Sequence, residues 1–284
     1  MRQSGIQNAR LVAREHVKRL GISAPEHIRI DAIAKRLVAR LGLTLRIIEG
    51  PLDGADSQLM RRLGELTIII SDRIKDTASR RFVLGHELGH LMLDHPLLAS
   101  HRIGDAAAAA QTANDVRDYE AEANAFSSEL TMPYVLVHEW CSVAPVNLDV
   151  AWRIARTFEM SILAAARRFA ELSPERCAAV FSSHRKVTWC TESASLTLPV
   201  ERRPNLDESS LACAFWTKGA IDEREQHVPA RAWFDTHTHA DVEVVEHATA
   251  SHEFRTVLSM LWVPDCAAES LGMATHGFEF RHRE

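Results

Sequence analysis

The sequence has no apolar run long enough to span a membrane, and its first residues lack the apolar core of a signal peptide. Its five cysteines are scattered and form no Cys-x-x-Cys pair, which excludes a disulfide framework and a cysteine zinc site. A net charge of -5 gives no general reason to expect nucleic-acid binding. Because 46% of the residues are hydrophobic and 25% are charged, we expect a globular, cytoplasmic protein that does not bind membranes.

One apolar stretch carries side chains that could perform chemistry. Residues 81–93 are predicted to form a buried helix, which contains the pattern His-Glu-x-x-His at His86, Glu87 and His90. Histidines four residues apart share one helix face and can bind a single metal ion. The carboxylate of Glu87, one step round the helix, can hold a water molecule and take its proton. Two glycines at the same four-residue spacing indicate that another segment approaches closely. The alternative is a core helix with two hydrogen-bonded histidines.

A metal site of this kind needs a third protein ligand, with water in the fourth position. Residues 118–133 predict a helix with an apolar stripe, and Glu120 and Glu122 flank that stripe on opposite sides. The helical pattern alone nominates either glutamate. Asp94 and His101 are weaker candidates, although Asp94 falls on the same face as the two histidines.

Two blocks of the sequence resemble the ImmA/IrrE family of metallopeptidases. The first is Phe-x-x-x-His-Glu-Leu-Gly-His-Leu-x-Leu over residues 82–93. The second is Glu-x-Glu-Ala-Asn-x-Phe-x-x-Glu-Leu-x-Met-Pro over residues 120–133. The resemblance covers roughly residues 8–172 and implies that Glu120 is the third metal ligand. The chain departs from the family pattern at Asp94, where the family usually has a histidine.

The predicted order of helix, helix, strand, hairpin and metal-binding helix is that of a small zincin. We therefore expect an α+β fold. Its minimal zincin domain would comprise N-terminal helices, a small antiparallel sheet, the His-Glu-x-x-His helix and a C-terminal helix bundle. We assign this domain to residues 1–174 and a smaller, strand-rich accessory module to residues 175–284. Within the module, residues 211–216 are predicted to form a strand.

Three segments leave alternatives open. Residues 97–118 fit either a short helix or a flap. The helix pair at residues 148–172 has the rhythm of a helix-turn-helix, but the acidic net charge favours structural packing over direct DNA binding. His237, His239 and Asp241 could bind a second metal, although histidines at a turn between strands are more often simply exposed.

These features together predict a zinc-dependent endopeptidase, with manganese as the alternative metal. The expected ligands are His86, His90 and, from the resemblance, Glu120. Glu87 is expected to act as the general base. Because a purely structural metal site has no need of a base, the presence of Glu87 favours an enzyme.

Three further side chains are candidates for stabilising the oxyanion of the reaction, namely Tyr119, Tyr134 and His138. The resemblance implies a narrow substrate specificity. The expected substrate is an XRE-like helix-turn-helix repressor, which is cut under stress or to induce a mobile element. It thereby implies a role in transcription regulation. The alternative is a non-catalytic, metal-containing regulator, or a toxin–antitoxin component, that binds a repressor or DNA.

Overall fold

A computed structural model of the chain describes residues 2–96, 113–235 and 242–273. The described residues form helices and two separate sheets, so the fold is α+β, which confirms the predicted class. Within the described ranges, no helix combines the length and the apolar character that crossing a membrane would require.

The chain divides into two compact units, each formed from two stretches of sequence. The first unit comprises Met1–Val137 and Ile154–Ser161, and the second comprises His138–Arg153 and Ile162–Glu284. The two domains assigned from the sequence, residues 1–174 and residues 175–284, remain a prediction.

The first unit contains the His-Glu-x-x-His helix. Its helices are α1 (Arg2–Arg19), α2 (Ile30–Arg40), α3 (Thr77–Met92), α4 (Ala113–Thr131) and α5 (Tyr134–Val137), and its strands are β1 (Thr44–Gly50), β2 (Ser57–Arg62) and β3 (Glu65–Ser71). Glycines with positive φ follow the first two helices, at Gly21 (69°) and Gly42 (71°), because this backbone conformation ends a helix with little strain only at glycine.

The three-stranded sheet is mixed, so the prediction of an antiparallel sheet is wrong. The strand order is β1-β3-β2, with β1 parallel and β2 antiparallel to β3. Strand β3 lies at the centre because Leu66, Ile68 and Ile70 are buried. The connection at residues 51–56 carries the chain past β3 to its far side instead of forming a hairpin with β1. Strand β2 therefore lies at an edge of the sheet.

Helices α3 and α4 pack closely because two residues of α3 are glycines. A Cβ atom at Gly89 would lie 2.9 Å from the Cα atom of Ala123, and one at Gly85 would lie 2.5 Å from Oγ of Ser127. The Ser127 hydroxyl also donates a hydrogen bond to the carbonyl oxygen of Phe82, at 2.7 Å. The close approach predicted from the two glycines is confirmed, and it brings the polar side chains of α4 toward the histidines of α3.

The second unit is built on a five-stranded antiparallel sheet with the order β5-β4-β8-β7-β6. Its strands are β4 (Cys177–Ser183), β5 (Lys186–Glu192), β6 (Gln226–Pro229), β7 (Glu243–Ser251) and β8 (Thr256–Trp262), and its helices are α7 (Ile162–Leu172), α8 (Leu211–Lys218) and α9 (Asp265–Ser270). Helix α6 (Leu148–Phe158) is divided between the two units. Helix α7 packs against β4 and β5.

Residues 211–216 are helical, in α8, so the prediction of a strand there is wrong. A short apolar run does not distinguish a strand from a buried helix, and the helix ends decide the outcome. The Ser210 side chain caps the helix by accepting a hydrogen bond from the backbone N–H of Cys213. Gly219 follows the last turn with a φ of 75°. The first two N–H groups of α8 donate to the carboxylate of Glu246 in β7.

Candidate metal centre

Helix α3 holds His86 and His90 one turn apart, and both of its ends are fixed by hydrogen bonds. The Asp76 side chain accepts a hydrogen bond of 2.7 Å from a backbone N–H of the first turn, which lowers the pKa of Asp76. At the other end, Asp94 has a φ of 53°, and the N–H of His95 donates to the carbonyl oxygen of His90 at 3.0 Å. This Schellman-type ending turns residue 95 back toward residue 90.

The side chains of His86, His90 and Glu120 converge. Nε2 of each histidine lies 3.3 Å from a different oxygen of Glu120, and the two Nε2 atoms are 3.0 Å apart. One possible ligand atom from each residue lies within 4.8 Å of the other two. Two imidazole nitrogens and one carboxylate oxygen are the protein ligands of many catalytic zinc sites. The chemistry and spacing of this donor set therefore fit a divalent metal ion.

These three side chains also change one another's ionisation. Hydrogen bonds from His86 and His90 hold the pKa of Glu120 well below its ordinary range. Burial lowers the pKa of His86, but the hydrogen bond with Glu120 and the charges of Glu120 and Glu87 outweigh burial and raise that pKa overall. The cluster therefore favours a positive charge between the two rings and the carboxylate.

Glu87 lies in the same cleft and is held by the edge strand. Its side chain accepts a hydrogen bond of 2.5 Å from the Ser57 hydroxyl, at the start of β2, and Glu87 is 6% exposed. The cleft has a volume of about 800 Å³. Its walls include the loop at residues 51–56, the first residues of β2 and one face each of α3 and α4. The candidate base thus lines the same cleft as the three candidate ligands.

A second layer of hydrogen bonds surrounds the two histidines. Nδ1 of His86 lies 3.0 Å from Oδ1 of Asn124, and Nδ1 of His90 lies 3.0 Å from Nδ1 of His95. Nε2 of His95 in turn lies 3.0 Å from a carboxylate oxygen of Glu122. Glu122, the other glutamate that the helical pattern nominated, therefore contacts His95. Sequence reasoning missed the contributions of Asn124 and His95. The available signal was a histidine just beyond the end of the metal-binding helix.

The remaining candidates are distributed as follows. The Tyr119 ring lies 4.7 Å from the His95 ring and lines the cleft. Burial lowers the pKa of His95. Tyr134 lies in the first unit, under the guanidinium group of Arg14 at 4.5 Å, and His138 belongs to the second unit. Asp94 is exposed at the helix end.

Several sequence predictions fall outside the described residues. They concern His101, the part of the 97–118 segment that precedes α4, and the possible second metal site at His237, His239 and Asp241.

Comparison with known proteins gives a family match and a structural match. Residues 40–170 match the family model Peptidase_M78, described as the IrrE N-terminal-like domain. A solved structure of a Mycobacterium tuberculosis transcriptional regulator superimposes with a TM-score of 0.56 and 11% sequence identity, covering 93% of this chain and 78% of that one. At this identity the likeness concerns the fold alone. No curated protein sequence matches the chain.

Proposed function

Because the chain belongs to the ImmA/IrrE family of metallopeptidases through residues 40–170, we propose that it is a zinc-dependent endopeptidase of narrow specificity. One observation carries the proposal. A nearly buried carboxylate, that of Glu87, lines the same cleft as two imidazole nitrogens and one carboxylate oxygen that converge on a common point. A site that only held a metal would have no use for this additional acid.

In the proposed reaction, His86, His90 and Glu120 hold the zinc ion. Bound zinc would acidify a water molecule and polarise the carbonyl group of the peptide bond that is cut. Glu87 takes the proton of the attacking water and then delivers it to the leaving amine. Ser57 orients Glu87 by donating to one of its oxygens, which leaves the other oxygen available for the water.

Two features of the cleft fit a peptide substrate. Among the described strands, β2 pairs with β3 alone, so its outer edge can accept an extended chain by strand addition. Residues 57–59 of this strand line the cleft next to Glu87. Of the three candidates for stabilising the oxyanion, we assign this role to Tyr119, because it also lines the cleft.

We further propose that the substrate is a helix-turn-helix repressor, as the family resemblance implies. A cytosolic protease needs a narrow substrate range, and the loop at residues 51–56, which forms one wall of the cleft, is positioned to contact the substrate. The alternative hypothesis is a regulator that binds a repressor or DNA without cutting it. Direct DNA binding by the helix pair is disfavoured because α7 packs against β4 and β5 and the net charge of the chain is -5.

The test compares Glu87→Gln with the wild-type chain, using a helix-turn-helix protein encoded beside its gene. Glutamine keeps the shape of the side chain but cannot accept the proton, so cleavage should fall by about 10²–10⁴-fold while zinc content stays unchanged. Glu15→Gln, an exposed charge neutralisation on α1, is the matched control and should cut at the wild-type rate. Products are mapped by mass spectrometry.

The outcomes distinguish the endopeptidase from the non-catalytic regulator. One or a few cuts in the regulator, with casein left intact, would support a narrow endopeptidase. Cleavage by Glu87→Gln at the wild-type rate would remove Glu87 from the mechanism. A regulator that binds tightly and is never cut would favour the non-catalytic alternative.

A further inference from the structure

The hydrogen bonds around His90 extend beyond the ligand set. Its Nε2 faces Glu120 at 3.3 Å, and its Nδ1 faces Nδ1 of His95 at 3.0 Å. Nε2 of His95 faces Glu122 at 3.0 Å. We propose that His95 and Glu122 form a hydrogen-bonded relay, named here the His95–Glu122 relay, that positions His90 and strengthens its hold on the metal. The inference rests on the proposed function, because it concerns how that metal site is held.

When a metal is bound at Nε2 of His90 and both rings are neutral, only one arrangement of protons satisfies the other two contacts. When Nε2 of His90 gives its lone pair to a metal, the neutral ring carries its proton on Nδ1. That proton points at Nδ1 of His95, which must therefore be an acceptor. The proton of His95 then lies on Nε2 and is donated to the carboxylate of Glu122. Each ring is thus fixed in one tautomer, and the chain of donors ends on an acid.

The relay is sheltered from water and sterically confined. The His95 side chain is 4% exposed and that of Glu122 is 20% exposed, so water competes little for these bonds. The Schellman-type ending of α3 directs His95 toward His90, and the Tyr119 ring packs against the His95 ring. A partner that fixes the tautomer of a metal-binding histidine and polarises its ring raises its strength as a ligand.

Helix α1 confines the far end of the relay. A Cβ atom built on Gly5, in the first turns of α1, would lie 2.0 Å from Oε1 of Glu122. Glu122 can occupy its position only because residue 5 has no side chain. The colliding atom is the tip of a flexible side chain, so a methyl group at residue 5 would displace Glu122 without breaking the backbone packing.

The two metal-binding histidines therefore differ in their supports. Nδ1 of His86 faces the neutral amide oxygen of Asn124, whereas Nδ1 of His90 is linked through His95 to a charged group. We assign His95 and Glu122 as positioning residues, because neither belongs to the cluster of three ligands.

The test measures zinc affinity of the full-length chain by competition with a chelator, and the melting temperature of the metal-free protein. Glu122→Gln and His95→Phe should each weaken zinc binding by about 10- to 100-fold. The double variant should bind zinc no more weakly than His95→Phe alone, because both changes break the same relay. Glu15→Gln, the control with the same charge change, should bind zinc as the wild type does.

Gly5→Ala separates a relay from general structural support. Alanine favours a helix more than glycine does, so the metal-free variant should melt no lower than the wild type. Its zinc affinity should nevertheless fall, because Glu122 is displaced. A loss of general packing would move both quantities in the same direction.

Zinc binding is measured without any substrate, so the two proposals can fail separately. If Glu122→Gln and Gly5→Ala bind zinc as tightly as Glu15→Gln, the relay is overturned even if the protein cuts its substrate. If the relay variants lose affinity as expected but the wild type cuts no protein, the relay stands and the endopeptidase proposal fails.

Discussion

Each of the two folded units contains a glutamate that meets several polar atoms, and the two glutamates differ in what faces them. In the second unit, Glu246 is 0% exposed. Its two oxygens accept hydrogen bonds from four donors, which are the N–H groups of Leu211 and Ala212, Nε1 of Trp233 and the hydroxyl of Ser259. Burial raises the pKa of Glu246, although these hydrogen bonds act in the opposite direction. This carboxylate is fully satisfied by the protein and joins α8 to the sheet.

In the first unit, the Glu120 side chain is 40% exposed and faces the nitrogens of two imidazole rings at the open cleft. The Nε2 atoms of His86 and His90 lie only 3.0 Å from each other. If the two Nε2 atoms carry no proton, their lone pairs point into the space that the Glu120 carboxylate also faces. The comparison indicates that a complete set of donors makes a buried acid structural, whereas two imidazole nitrogens and a carboxylate that converge at an open cleft are suited to bind a cation.

The largest expected effect is on stability, from Glu246→Ala. Each buried donor left without an acceptor costs about 1–3 kcal/mol, so the free energy of unfolding should fall by at least about 3 kcal/mol. The matched control is Glu243→Ala, an exposed position on the same strand, which should change stability by less than about 0.5 kcal/mol. Urea denaturation followed by circular dichroism measures both. Equal stability of the two variants would refute the structural role of Glu246.

The next effect is on metal binding, from Glu120→Ala. Losing one of three protein ligands should reduce zinc affinity by more than about 100-fold, which is beyond the loss expected for a group that only supports a ligand. The Glu120 side chain is partly exposed, and it is not held by four buried hydrogen-bond donors as Glu246 is. The metal-free variant should therefore melt close to the wild type. Metal analysis after dialysis and a melting curve provide the two readouts. Zinc retained at the wild-type level would mean that Glu120 is not a ligand.

The site was partly predictable because its main elements are local. His86, Glu87 and His90 lie within one helical turn, so spacing alone brings them together. Spacing left Glu120 and Glu122 equivalent, and resemblance alone favoured Glu120. His95 escaped prediction because its contact with His90 depends on the positive φ of Asp94. A backbone conformation of that kind at a residue other than glycine is uncommon and has no reliable pattern in sequence.

The α+β class of the fold was predictable from the sequence, whereas the pairing of the strands was not. The parallel contact of β1 with β3 depends on how the loop at residues 51–56 passes β3, which apolar alternation does not encode. The helix at residues 211–218 depends on Glu246, whose carboxylate meets its first N–H groups from a strand later in the chain. Such contacts arise from tertiary structure, and a short apolar run is compatible with either state.

The smallest expected effect concerns a third acid, Asp31 of α2, which extends the comparison to the surface. Both of its oxygens accept hydrogen bonds from the guanidinium group of Arg80 in α3, at 2.9 and 3.0 Å. These bonds lower the pKa of Asp31, although burial acts in the opposite direction. A lowered pKa in the folded state means that the stabilisation is present above the unfolded pKa of about 3.9. It is lost as the pH falls from there through the folded value.

Asp31→Asn should therefore lower the free energy of unfolding at pH 7 by only about 0.5 kcal/mol, because the side chain is 48% exposed and water screens the pair. The difference from the wild type should shrink as the pH is lowered below the unfolded pKa of about 3.9, because the wild-type carboxylate then becomes protonated first in the unfolded state and, at lower pH, in the folded state. Urea denaturation at pH 7, 4 and 3 measures this trend. A difference that persists unchanged at pH 3, or that equals the effect of Glu246→Ala, would contradict the idea that burial and a complete donor set decide how much an acid stabilises this fold.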